Sequence, residues 1–340
     1  MVSVVTFWRA FEKTPLGIIV ASLWHPANTI IMVVNPKTTH HALSLIKDMA
    51  PVITSELYAD IKDKNGWRTR FAPSPTGSLH IGHAYAAYVV WQIAGENPDK
   101  FLLRIDDLDY TRCSDKYINQ LKNDLSWLDI RWNSQEIYQS QRLRRYSQAL
   151  QTLLEADLIY PCYLSRMEIS DFLSPPSIAQ ISQPCTRGAL SSREIHKRQQ
   201  RGIKPALRLD MSKAIQHVGE VSWKHLDGII IRAEPAKFGD IILGRRDITA
   251  SYHLSVVLDD VDSNIEVVTR GEDLRSSTDI HCLLQKLLGL SSPVYFHHPV
   301  ILGEDGKKLS KRHKSPSLHN LRNTNLTLKN ILKKELVINF

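Results

Sequence analysis

Two sets of residues, more than two hundred positions apart, have the chemistry to handle a polyphosphate. The first is Leu79-His-Ile-Gly-His83, which follows the Pro/Ser/Gly loop Pro73-Ser-Pro-Thr-Gly77 and opens a helical pattern. Helix N-termini present unpaired N–H groups and the positive end of the helix dipole, so anions collect there. His80 and His83, three apart, share one side of the first turn and can donate ring N–H groups to phosphate oxygens. Gly82 lets a base or sugar pack close to the backbone. The second set is Lys307-Lys-Leu-Ser-Lys-Arg312, in a glycine-containing loop. Lysines there can act as point charges on a leaving pyrophosphate. Taken singly, the first set also fits two ordinary helix-start histidines, and the second fits a solvated charge run.

The elements that must position these residues alternate. Arg68–Ala72 reads as a short strand and Ala84–Ile93 as a helix. Phe101–Ile105 reads as a second strand, ending in the acidic cluster Asp106, Asp107 and Asp109. Helical patterns follow over Asp115–Leu128 and Arg142–Asp157. Strand and helix in alternation predict a parallel sheet with helices on its faces. From about 160 to 245 the rhythm breaks, with prolines at 175, 176, 184 and 205 and a strand-like run over Gly228–Arg232, and this stretch reads as an insertion. The rhythm resumes with the strand-like Ser255–Asp260, then Ile265–Val268 and a helix over Thr278–Leu288. The expected units are therefore 1–65, an extension bounded by the polar run Asp60–Gly66; 66–160, the first half of the sheet domain; 161–245, the insertion; 246–306, the second half; and 307–340, the lysine loop with a short basic helix.

Composition sets outer limits. A chain of 340 residues, 43% hydrophobic and 23% charged, is long enough for one large or two ordinary packed domains. The apolar stretch Pro15–Val34 is interrupted by His25, Pro26 and Asn28, so it does not read as a spanning helix. The four cysteines, at 113, 162, 185 and 282, form no CxxC pair, which suits free thiols in a reducing cytosol. The net charge of +8 is concentrated in residues 307–340, which carry nine Lys/Arg and one glutamate. Such a segment favours phosphates, of a nucleotide or of a nucleic-acid backbone.

The order strand, His-Ile-Gly-His, long insertion, second half-sheet, Lys-Leu-Ser-Lys resembles the class I aminoacyl-tRNA synthetases. Arg70-Phe-Ala-Pro-Ser-Pro-Thr-Gly-Ser-Leu-His-Ile-Gly-His83 resembles the opening of the glutamyl and glutaminyl enzymes. Arg104-Ile-Asp-Asp-Leu-Asp109, Val268-Thr-Arg-Gly-Glu-Asp-Leu274 and Lys308-Leu-Ser-Lys-Arg312 match later blocks of that family. The resemblance covers roughly residues 67–330. It implies an α/β fold, a Rossmann-type parallel sheet with an inserted α+β acceptor-binding subdomain. Only 28 residues follow the lysine motif, too few for a helical anticodon-binding domain. The match is therefore better to the short glutamyl-Q tRNA(Asp) synthetase family, which attaches glutamate to the queuosine base of tRNA(Asp).

What the resemblance implies for the site can be carried over residue by residue. His80, His83 and Lys311 would stabilise charge on the reacting ATP. His80, Gly82, His83, Lys308, Leu309, Ser310, Lys311 and Arg312 would bind the nucleotide, with Mg²⁺ on its phosphates. Arg70 would hold a glutamate carboxylate in bidentate fashion, and Phe71, Ala72, Pro73 and Ser74 would shape the pocket. Asp106 stands where the family usually has glutamate and would take the substrate ammonium. Tyr252 and Arg270 match further substrate contacts. The alternatives are a solvated strand-end carboxylate for Asp106, a core aromatic for Tyr252, and an ion pair to Glu272 or Asp273 for Arg270.

Many short-family members bind zinc through a Cys-x-Cys, a tyrosine and a third cysteine in the insertion. Cys162 and Cys185 fit the first and last positions, but Leu164 and Ile181 replace the other two. Two ligands do not close a structural zinc site, so no zinc is expected. The expected partners are queuosine-bearing tRNA(Asp), L-glutamate and ATP, for a cytoplasmic monomer away from membranes. The alternatives are a truncated glutamyl-tRNA synthetase charging the 3′ end of tRNA(Glu), or a catalytically dead tRNA-binding core. The dead core is disfavoured because the histidines and motif lysine are present.

Overall fold

A computed structural model describes residues 53–165, 167–169, 185–301 and 317–322. Its centre is a parallel sheet. Strand β1 (Thr69–Phe71) pairs with β2 (Phe101–Ile105), which pairs with β3 (Ile137–Tyr138). On the other side of β1 lies β9 (Val267–Gly271), paired in parallel with β10 (Val294–His298). The Arg68 carbonyl accepts from the Glu266 and Val267 N–H groups at 2.8 and 3.2 Å, joining the two halves. β1 thus has a first-half strand on one flank and a second-half strand on the other. In such sheets the crevice beyond the carboxyl ends of the strands is where ligands bind.

Helix α2 (Ile81–Ile93) is apolar nearly all round, and Ala84, Tyr85, Ala87, Tyr88, Val89, Val90 and Ile93 are buried. A helix with no polar face must be covered on every side. It packs in one core with Phe101, Leu103, Ile105 and Val267 from the sheet. That core also takes in Ile53 and Ile61, the latter from helix α1 (Ser55–Asp63). The polar run Asp60–Gly66 is therefore a helix end and a turn against the core. Gly66 has φ +78°, and a Cβ there would lie 2.0 Å from the Ala94 carbonyl oxygen, so only glycine fits the turn.

Helices α3 (Asp115–Trp127) and α4 (Leu143–Glu155) fall within the expected ranges. After α4 the pairing changes from parallel to antiparallel. Strand β4 (Ile159–Cys162) pairs with β5 (Ala206–Leu209), and β5 pairs with β8 (Ile242–Gly244). Between β4 and β5 lies helix α5 (Ser192–Gln200), and after β5 comes α6 (Met211–Val218). Strands β6 (Ser222–Lys224) and β7 (Ile230–Arg232) form a hairpin. Strands β4, β5 and β8 share a core with α4 through Leu150, Leu153, Leu209 and Leu243, and Leu254 and Leu283 from the second half join it.

One expected strand is a helix. Ser255–Asp260 lies inside α7 (Tyr252–Asp262). Leu254, Val257, Leu258 and Val261 fall at helical spacing, and a short apolar run alone does not distinguish the two conformations. The helix is buried on most sides, so Asp259 and Asp260 are carried into the interior. The expected helix over Thr278–Leu288 is α8 (Ser277–Leu287). A further helix, α9 (Leu318–Arg322), packs on α3, and the rest of the basic segment lies outside the described residues. Among the described residues, no helix is long and apolar enough to cross a membrane.

Candidate active site

A cavity of about 790 Å³ opens at the carboxyl ends of β1, β2, β9 and β10. Every described residue assigned from the sequence to the nucleotide or the glutamate lines it: Arg70 to Ser74 after β1, His80, Gly82 and His83 at α2, Asp106 after β2, Tyr252 at the start of α7, and Arg270 on β9. The sheet brings them together because each sits at or just beyond a strand's end or at a helix start facing that end. Lys308, Leu309, Ser310, Lys311 and Arg312 lie outside the described residues. The residues bracketing them are at the site. Ile301 lines the cavity, Ser317 bridges to His80, and the Leu318 N–H donates to the Leu79 carbonyl at 2.8 Å.

The two histidines are built into the cap of α2. His80 is the N-cap residue, and its Nδ1 accepts from the Gly82 N–H at 3.2 Å. The His83 Nδ1 accepts in turn from the His80 N–H at 3.2 Å. A neutral imidazole that accepts at Nδ1 carries its proton on Nε2. Both rings are thereby set as Nε2–H donors, with centroids 3.8 Å apart. A Cβ at Gly82 would come within 3.1 Å of the His80 ring, which explains the small residue between them.

The floor of the cavity is a buried ion network. The Arg70 Nε and NH2 donate to the two oxygens of Asp260 at 2.8 and 3.3 Å, and its NH1 donates to the Thr269 carbonyl at 3.1 Å. Arg104 donates to the same Asp260 at 2.5 Å and to Asp106 at 2.7 Å. Burial pushes the Asp260 carboxyl up, but Arg70 and Arg104 outweigh it and hold it below the usual range. Burial raises Asp106 to about 6 against the opposing pull of Arg104. Asp259, fully buried, accepts from Gln139, Arg142 and Tyr146 at 2.6 to 2.9 Å.

Arg270 makes no ion pair to Glu272 or Asp273. Its guanidinium donates to the Thr278 hydroxyl at 2.6 Å, to His281 Nδ1 at 3.0 Å and to His297 Nε2 at 3.4 Å. Tyr252, 41% exposed, stands at the cavity edge with its ring against His253 and His281. Asp260 and Arg104 were not assigned roles from the sequence. Their signal was present all the same, since two acids closing the apolar run Val256-Val-Leu-Asp-Asp260 need buried cations. Thr269, His298 and Tyr85 also line the cavity, and nothing in their spacing marks them.

The described residues of the insertion offer zinc no set of thiolates. The Cys162 sulfur accepts from the Thr186 hydroxyl at 3.3 Å, and Cys185 is exposed. Leu164 packs in an apolar cluster with Tyr160 and Cys162 where a second thiolate would be needed. Ile181 lies outside the described residues. Among the described residues, no three His, Cys, Asp or Glu side chains gather as a metal site.

Residues 67–333 match the family model of the class I tRNA synthetases for glutamate and glutamine, catalytic domain. The chain belongs to the class I aminoacyl-tRNA synthetases. It is thus a ligase by family. The synthetase is 41% identical over 261 residues to a glutamyl-Q tRNA(Asp) synthetase from Rhodobacter capsulatus, covering 75% of this chain and 94% of the relative. It is 38% identical to a glutamate–tRNA ligase from Nitrosomonas europaea, over 75% of this chain and 54% of that one. Against the glutamate–tRNA ligases the synthetase spans about half of the relative's length. Among solved structures, a glutamate tRNA ligase from Elizabethkingia meningosepticum, in complex with its amino acid, superposes with a TM-score of 0.60. That pair is 26% identical and covers 72% of this chain and 52% of the other.

Proposed function

We propose that the synthetase activates L-glutamate with ATP and transfers it to the queuosine base of tRNA(Asp). The observation that carries the activation step is a cavity in which the His80/His83 turn faces Arg70, Asp106, Tyr252 and Arg270. That set suits a substrate with two carboxylates and one ammonium beside a nucleotide. ATP enters as its magnesium complex, which is a substrate and not a resident cofactor.

An oxygen of the glutamate α-carboxylate attacks the α-phosphorus, and the bond to the bridging oxygen of pyrophosphate breaks. The Nε2–H groups of His80 and His83 donate to oxygens on which charge builds up, at a helix N-terminus already favourable to anions. Because both rings are held by backbone bonds, little reorganisation is needed at the moment of reaction. Lys311 is assigned to the leaving pyrophosphate. A hydroxyl of the acceptor nucleoside then attacks the carbonyl carbon of glutamyl-adenylate and AMP departs.

The acceptor rests on the relatives. Higher identity and a span of 94% favour the glutamyl-Q relative over the glutamate–tRNA ligases, of which about half is spanned. The second reading, charging the 3′ end of tRNA(Glu), is favoured by the 33–38% identity to those ligases. One assay separates them. Radiolabelled glutamate should appear on queuosine-containing tRNA(Asp) and be absent from the same tRNA lacking queuosine. Label on tRNA(Glu) with none on tRNA(Asp) would transfer the assignment to the second reading.

A further inference from the structure

Arg270 is 6% exposed, yet among the described residues no carboxylate lies within ion-pairing distance of it. Its neighbours in the cavity floor behave differently, since Arg70 and Arg104 share Asp260, and Arg104 also holds Asp106. A buried charge is costly unless its hydrogen bonds are met. Those of Arg270 are met by neutral groups alone: the Thr278 hydroxyl, His281 Nδ1 and His297 Nε2.

The two imidazoles are locked into the accepting state. His281 Nδ1 accepts from Arg270, so its proton sits on Nε2, which faces His253 Nδ1 at 3.2 Å. The Thr278 hydroxyl accepts from Arg270 and can donate to His297 Nε2 at 3.1 Å. His297 therefore carries its proton on Nδ1, a buried atom with no hydrogen-bond partner. The His297 ring stacks on Tyr295 and His225, with interplanar angles of 1° and 15°. Burial and the nearby guanidinium push His281 well below the ordinary histidine value and His297 down to about 2. A carboxylate in either place would satisfy the same N–H groups, but it would also cancel the charge.

We propose that His281 and His297 are positioning residues that hold Arg270 without neutralising it, so that its full positive charge is offered to a carboxylate of the amino-acid substrate. The inference rests on the reading of Arg270 as a substrate contact. It adds a division of labour: Arg70, bound to Asp260, supplies geometry, whereas Arg270 supplies the uncompensated charge that selects an anionic side chain or carboxylate.

Near-isosteric pairs of variants test this. The amide oxygen of asparagine mimics Nδ1, so His281→Asn keeps a neutral acceptor, whereas His281→Asp puts an anion there. For Nε2 the matching pair is His297→Gln and His297→Glu. Each full-length variant is assayed by ATP–pyrophosphate exchange with glutamate and ATP varied separately. The neutral variants should keep the KM for glutamate within about threefold of the parent. The acidic variants should raise it about tenfold or more, the scale of losing one charge-assisted contact. The KM for ATP should not move in either case. Equal effects of the neutral and acidic variants, or parallel shifts in both KM values, would overturn the proposal. If His281→Asp fails to fold, the His297 pair decides. Absence of glutamate-dependent exchange in the parent chain would overturn the underlying reading instead, and so the two failures are distinguishable.

Discussion

Arg70 grips Asp260 through two parallel N–H···O contacts, at 2.8 and 3.3 Å, while Arg104 donates to the same carboxylate at 2.5 Å. The three side chains come from β1, α7 and β2, so one buried anion ties both halves of the sheet domain together beneath the cavity. Asp260 is the carboxylate that both guanidinium groups share, and it screens their mutual repulsion, while Asp106 gives Arg104 a second partner.

Replacing Asp260 with asparagine leaves two buried cations with no shared counter-ion. Asp260→Asn should lower unfolding stability by about 3–5 kcal/mol, the usual cost of removing one partner of a buried pair. Urea unfolding of parent and variant measures it. A change below about 1 kcal/mol would mean that the network contributes no more than a surface pair.

Asp106 gives a pH signature. Its carboxyl is raised to about 6, and only the ionised form attracts an ammonium group. The KM for glutamate should therefore rise as pH falls below about 6, by about tenfold per unit at the limit, while the KM for ATP does not follow. The stability effect has the opposite sense. A carboxyl raised in the folded state binds its proton more tightly there, so its contribution to stability falls as pH rises from about 4 through 6. Asp106→Asn should bind glutamate weakly at every pH and remove the slope. A slope that persists in this variant would exclude Asp106 as its source.

The double duty of His80 can be divided by substitution. Asparagine is a good N-cap residue but cannot reproduce the Nε2–H group. His80→Asn should fold as stably as the parent yet lose about 10²-fold in exchange rate, the scale of one preorganised donor. His80→Ala should lose the rate and also about 1 kcal/mol of stability. Normal exchange by His80→Asn would leave this ring with a structural role alone.

Helix α1 belongs to the packed unit, since Ile61 is 2% exposed and sits in the core around α2. Ile61→Ala should cost about 2–5 kcal/mol, as for other large-to-small changes in a packed core. Thermal unfolding would reveal it. An unchanged midpoint would return this helix to the status of an appendage.

From the sequence alone, the candidate residues that line the cavity and the alternation of strands and helices were legible. Leu79-His-Ile-Gly-His83 and Arg70-Phe-Ala-Pro-Ser74 carry their meaning in residue type and close spacing, which need no distant partner to be read. Periodicity likewise located α2, α3, α4 and α8 to within a few residues, because amphipathic or wholly apolar stretches declare their burial locally. It did not settle Ser255–Asp260, since a short buried helix and a buried strand share the same apolar run.

Only the tertiary structure decided which charges answer which. Arg70 and Asp260 are 190 residues apart, and Arg270 meets two histidines rather than the acids beside it in the chain. Sequence order carries no record of such pairings, because they arise where the carboxyl ends of β1, β2 and β9 converge on α7 and α8. Burial there lowers the local dielectric, so the choice of partner, and not the count of charges, sets which arginine's charge is left uncompensated.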